Sequence, residues 1–176
     1  MRTWFSVDPN EVTFISQLFP DQILVCFADN SILVFELPSL NLFAQLGSKW
    51  LNSKSGNITT VYVDEPGQLN FAYVGTSEGN IYILDISFKG IRICDYTITY
   101  KMVGLKSAFT VSDIAVCPKD EKYLAISYDA ILTQSGNVVI FDLVKQKPLR
   151  VYDTQAIASI AWQHQGDILY AGNYYC

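Results

Sequence analysis

His164 is the only histidine of this 176-residue chain, and it stands in the polar stretch Gln163-His164-Gln165-Gly166. An imidazole that works as a general base needs a nucleophile or acid held against it, and no neighbouring segment frames one, so His164 reads as a solvated turn residue. Glu36, Asp85 and Asp142 each follow an apolar run and recur because the surrounding pattern recurs, which leaves paired acid–base catalysis a weak alternative. Gly75-Thr-Ser-Glu-Gly79 and Gly104-Leu-Lys-Ser107 combine glycine with hydroxyl groups, as phosphate loops do. Neither has the Gly-x-x-x-x-Gly-Lys-Ser/Thr spacing, and both read as turns or loops. Cys26, Cys94 and Cys117 sit singly in strand-like apolar runs and Cys176 is the last residue, so neither zinc-ligand spacing nor a disulfide framework is present. No catalytic residue, metal or cofactor is expected. The sequon Asn57-Ile-Thr59 is common by chance and carries no weight without secretion.

Binding is the chemistry that remains. Trp50 lies beside Lys49 and Leu51 in a long polar connection, where an indole either tucks under the neighbouring sheet, the reading favoured here, or is offered to a partner. Lys49 and Lys54 share that connection, and Lys101 and Lys106 share another. These five residues are the candidate partner-binding set.

The elements that must position them are hairpins. The stretch from Leu69 to Ile86 is two apolar runs joined at Ser77-Glu78-Gly79-Asn80, where glycine can take positive φ in a tight turn. Phe71, Tyr73 and Val74 precede the turn and Ile81 to Leu84 follow it, residue types that suit a pleated, half-buried surface. The hairpin recurs as Ile23 to Glu36 and as Tyr123 to Asp142. Each hairpin is preceded by one further strand and followed by another, giving repeats over residues 12–46, 58–96, 111–153 and 157–176, the last broken off in its second strand. Aligned on Glu36, Asp85 and Asp142, successive repeats are 85 − 36 = 49 and 142 − 85 = 57 residues apart. Period-two alternation with turn residues between the runs excludes a helical repeat. The fold class is all-β, an incomplete WD40-type β-propeller of about three and a half four-stranded blades with loop insertions. Three and a half blades do not close a ring, which predicts a fragment.

Antiparallel strand order places the insertions. Gly47–Asn57, Thr99–Thr110 and Asp129–Ser135 all leave their blades at one end, and loops gathered at one end of a rigid scaffold are where binding sits. The four lysines predict a locally positive face there. The chain as a whole carries 17 acidic against 12 basic residues, net −5, which disfavours nucleic acid, and its apolar runs are strand length, too short to cross a bilayer as a helix. The amino-terminal residues lack the apolar core of a secretory signal, so a cytoplasmic location is expected.

The segment Ile58 to Ile86, then Pro118-Lys-Asp120 with Leu124-Ala-Ile126, Val138 to Leu143, and Ile160 to Gly166, resembles the amino-terminal propeller of the lethal giant larvae and tomosyn family, as does Val12 to Leu37. The order and spacing of these blocks match from about residue 12 to 172. The resemblance implies a non-enzymatic scaffold that regulates exocytosis, vesicle docking and cell polarity by binding syntaxin-type SNAREs, with some members linked to Rab-type GTPases. It also implies peripheral recruitment to the plasma membrane through those partners. The chain lacks a second propeller and the carboxy-terminal SNARE-like helix of tomosyns, and the family has no short motif to carry over residue by residue. An unrelated WD40 adaptor is the alternative; a propeller hydrolase ranks below it, because the inward first strands offer mostly Val, Ile, Thr and Ser.

Overall fold

The computed structural model describes residues 11–64, 71–87, 90–107, 109–130 and 134–173. Fourteen strands run in chain order among these residues: β1 (Val12–Phe19), β2 (Gln22–Phe27), β3 (Ile32–Glu36), β4 (Asn41–Leu46), β5 (Ile58–Val63), β6 (Phe71–Thr76) and β7 (Ile81–Ser87) come first. Then come β8 (Gly90–Ile98), β9 (Thr110–Val116), β10 (Tyr123–Ala130), β11 (Ser135–Asp142), β12 (Lys147–Gln155), β13 (Ile157–Trp162) and β14 (Leu169–Asn173). They form four antiparallel meanders, β1–β4, β5–β8, β9–β12 and the two-stranded β13–β14, each pairing strands strictly in sequence order. The fold is therefore all-β, with one 3₁₀ turn among the described residues, at Ser48–Trp50.

Alternation makes both faces of the inner sheets apolar, and the core lies between consecutive sheets. Leu24, Cys26, Ile32 and Val34 of the first sheet meet Ala72, Val74, Leu84 and Ile86 of the second. On the other side of the second sheet, Tyr73 and Ile81 meet Ile114, Leu124, Ile126, Tyr128 and Val139 of the third. Ala115, Ala125, Val138 and Ile140 then meet Ile157 and Ile160 of the fourth. Successive first strands are neighbours: β1 lies beside β5, β5 beside β9, and β9 beside β13. Outer faces are less covered, with Ile15 67 % and Tyr170 58 % exposed.

A shared irregularity marks every first strand. The register skips one residue at Thr13, Thr59, Ser112 and Ala158, a β-bulge near the start of β1, β5, β9 and β13. These positions are 46, 53 and 46 residues apart, so the same bend is built into all four sheets. At three of them a side-chain hydroxyl bonds to a neighbouring strand: Thr13 Oγ1 donates to Cys26 O at 3.2 Å, Ser112 Oγ shares a hydrogen bond with Ser127 Oγ at 2.8 Å, and Thr59 Oγ1 reaches the next sheet at Val111 O, 2.7 Å.

Strand extends into two places between elements. The expected insertion Asp129–Ser135 is ladder at both ends, because β10 and β11 stay paired out to Ala130 opposite Ser135, and residues 131–133 lie outside the described residues. Lys147 and Pro148 open β12, where proline's missing N–H is tolerated because β12 is the outermost strand of its sheet. Glu65-Pro-Gly-Gln68, whose residue types suit a turn, lies outside the described residues, as does the end of the fourth repeat beyond 173.

Candidate interaction surface

The links from β2 to β3, β6 to β7 and β10 to β11 leave the stack at the same end as the links from β4 to β5 and β8 to β9, as alternating strand direction requires. Hydrogen bonds join these segments to one another. Asn30, in the β2–β3 turn, adopts a left-handed conformation at φ 68°, which asparagine tolerates better than most residues. Its carbonyl accepts the indole N–H of Trp50 at 2.6 Å, its Oδ1 accepts Ile58 N–H at 2.8 Å, and its Nδ2 lies 3.4 Å from both Gly56 O and Asn57 Oδ1. One turn residue thus fixes both ends of the connection 47–57. Across the next sheet boundary, Ser77 N donates to Asn57 O at 2.9 Å, and Asn57 N donates to Ser77 Oγ at 3.1 Å.

Each long connection is pinned by apolar residues. Trp50 is half-buried, packed edge-on against Tyr82 with ring centroids 5.5 Å apart, and Leu51 beside it is buried. Tyr82 also donates its hydroxyl to the buried Ser55 Oγ at 2.7 Å. In the connection 99–109, backbone bonds from Val103 and Met102 to Thr99 O and from Leu105 to Tyr100 O wind the chain so that Val103 is fully enclosed. Gly79 lies directly beneath this connection: a Cβ there would fall 2.7 Å from Phe109 O and 3.2 Å from the Tyr100 Cβ.

Lys49, Lys54, Lys101 and Lys106 are all exposed on these two pinned connections, two on each, and Lys101 Nζ lies 5.9 Å over the Tyr100 ring. The same end carries exposed Glu11, Asp29 and Glu78. Asp29 is held below the usual carboxylate range by the Ser31 hydroxyl and then the Ser31 N–H, which donate to its Oδ1 at 2.6 and 2.9 Å. The expected positive face is therefore a mixed one, four lysines interleaved with three exposed carboxylates. The opposite end is more acidic. Its turns hold Lys119, Lys122 and Lys145 against Asp21, Asp120, Glu121 and Asp167, and Glu36, Asp142 and Lys147 stand at the strand ends, six carboxylates to four lysines.

The remaining candidates are dispersed. His164 is exposed in the β13–β14 turn. Glu36, Asp85 and Asp142 do align, each opposite the first residue of the preceding strand, but their surroundings differ. Asp85 pairs with Arg92 at 3.1 Å, while buried Asp142 accepts Val144 N–H at 3.1 Å and Lys145 N–H at 2.9 Å. Gly75 closes against Val111 and Thr60, where a Cβ would meet carbon atoms at 2.6 to 2.8 Å, so it serves packing between β5, β6 and β9. Among the described residues no cluster of three or more metal-ligating side chains occurs, and no helix is long and apolar enough to cross a membrane. The sequence reading missed Asn30 as an organising residue; the available signal was Asp29-Asn30-Ser31, at the place where the next repeat carries Gly79. No model of a known protein family matches this chain.

Proposed function

We propose that the chain is a non-enzymatic scaffold, about three and a half blades of a WD40-type β-propeller, and a portion of a syntaxin-binding regulator of exocytosis and vesicle docking. One observation carries the propeller reading: four consecutive meanders pack face to face in chain order with β1, β5, β9 and β13 side by side, each bulged near its start. That is the arrangement blades need around a common axis. The interaction reading is supported by the end at which both long connections are pinned by buried residues while their lysines stay exposed. Such loops present charge without paying much ordering entropy on binding. The SNARE reading rests on the resemblance of the repeat blocks, and recruitment to the plasma membrane, with any Rab-type GTPase, would follow from those partners.

The test is capture of the chain by an immobilised cytoplasmic region of a syntaxin-type SNARE, followed by surface plasmon resonance across a salt series. Saturable binding whose association rate falls with added salt is expected. A chain with native β-sheet circular dichroism that shows no binding at any salt concentration would remove the SNARE assignment and leave an unrelated WD40-type adaptor, the second reading, which the same stack of sheets supports.

A further inference from the structure

At the end opposite the long connections, the second and third sheets part into a groove of about 450 Å³. The cause lies in the connections themselves. At the other end of the same sheet pair, Val103 fills the core with Met102 and Leu105 packed against it, so the interface there is closed. Phe71, Ile83, Cys94 and Tyr96 form one wall of the groove, and Leu143 and Val144 of the β11–β12 turn form the other. Val144 is 76 % exposed, an aliphatic side chain held open to solvent at the lip.

The charges around the lip do not cancel. Lys122 is ion-paired with Asp120 and lies 4.7 Å over the Tyr123 ring, and Arg92 is paired with Asp85. Glu121, which lines the groove, has no cationic partner among the described residues. The lip therefore keeps an uncompensated carboxylate. The wall that carries Cys94 and Tyr96 is β8, the outermost strand of its sheet, so one row of its backbone N–H and C=O groups faces away from the ladder. An apolar slot, an unmatched negative charge and a strand edge together suit one kind of occupant.

We propose that this groove binds an extended peptide segment of a partner protein, with apolar side chains at alternate positions in the slot, a lysine or arginine against Glu121, and its backbone paired along β8. The site is separate from the lysine-bearing end and does not depend on syntaxin binding, so either assignment can fail alone.

Cys94 supplies the reporter. Cys26 and Cys117 are buried, and Cys94 is the half-buried thiol in the groove wall. In the full chain carrying Cys176→Ser, maleimide modification of Cys94 is followed by mass spectrometry with and without a saturating alternating leucine–lysine pentapeptide. The peptide should slow modification about fivefold or more, and its leucine–glutamate counterpart should protect far less. Glu121→Lys should reverse that preference, and Val144→Glu, a change at an exposed position that leaves folding intact, should abolish protection by both. Fluorescence anisotropy of the dye-labelled peptides gives the same ranking independently of thiol reactivity. Equal protection by both peptides, absence of binding by either measurement, or protection by octylamine as complete as that by the peptide would each overturn the proposal.

Discussion

Asp129 ends up near the close of β10 at 2 % exposure with both carboxylate oxygens shut from solvent and lacking a hydrogen-bond partner among the described residues. Burial without donors disfavours the charged form, so its pKa is raised. Asp142, equally enclosed in the neighbouring strand, is shifted the other way, because the Lys145 N–H, with smaller help from the Lys145 charge and the Val144 N–H, stabilises its carboxylate. The stability that Asp129 contributes is present below the ordinary carboxylate pKa and is lost as pH rises through its raised folded value; for Asp142 the contribution is present above the ordinary value and lost as pH falls through the lowered one. Replacing Asp129 by Asn removes the charge that must otherwise be buried at neutral pH. Asp129→Asn should therefore stabilise the chain at pH 8 by about 1 kcal/mol, or about 2–4 °C in melting temperature, with the gain shrinking at pH 4. Thermal melts at the two pH values decide it, and a variant that melts lower than the parent at pH 8 would show that the carboxylate has a stabilising partner. Nothing in the sequence separates the two aspartates, since both follow apolar runs; the donors that distinguish them come from the path of the turn.

The β2–β3 turn shows how one element locks another. Phe27 N donates to Ser31 O and Asn30 N to Phe27 O, and the β6–β7 turn repeats the pattern with Thr76 N to Asn80 O and Gly79 N to Thr76 O. The residue two positions before the second strand is left-handed in both, Asn30 at φ 68° and Gly79 at φ 74°. Glycine is required at 79 because the connection 99–109 presses on it, whereas the side chain at 30 is used to hold the connection 47–57. Asn30→Gly keeps the backbone conformation and loses the side-chain bonds, so a cost of about 1–2 kcal/mol is expected; Asn30→Ala adds left-handed strain and should cost about 2–3 kcal/mol. Urea denaturation measures both, and equal losses would show that the conformation contributes nothing. Most of the strands were legible because alternation and turn residues are local signals. Which connection is stitched to which turn depends on sheet-to-sheet contacts that no local pattern encodes, and the start of β12 at Lys147-Pro148 depends on its place at a sheet edge, where a proline is acceptable in a strand.

At the scale of the whole molecule, the repeat was legible because the ladders align Glu36, Asp85 and Asp142 opposite Gln22, Phe71 and Tyr123. The bulges at Thr13, Thr59, Ser112 and Ala158 were not, since a register skip has no composition of its own. Charge distribution was legible only in part. The lysines were placed by loop parity, but Asp29 and Glu78 sit in short hairpin turns that reach the same end. The relevant quantity is therefore the difference between the two ends. Reversing Lys49, Lys54, Lys101 and Lys106 to Glu changes the net charge from −5 to −5 − 8 = −13. Reversing Lys119, Lys122, Lys145 and Lys147 at the opposite end produces the same −13, so the pair of variants separates local steering from global repulsion. If the lysine-bearing end captures an acidic SNARE helix, the first variant should associate about tenfold more slowly at low salt, the second much less so, and both differences should fade as salt approaches physiological strength. Melting temperature should barely change in the first variant, because all four side chains are exposed and exposed charges contribute little to folding. Equal slowing in both variants would reduce the effect to net charge and remove the directed surface. A large loss of stability in the first would show instead that the lysine stems pack onto the connections that carry them.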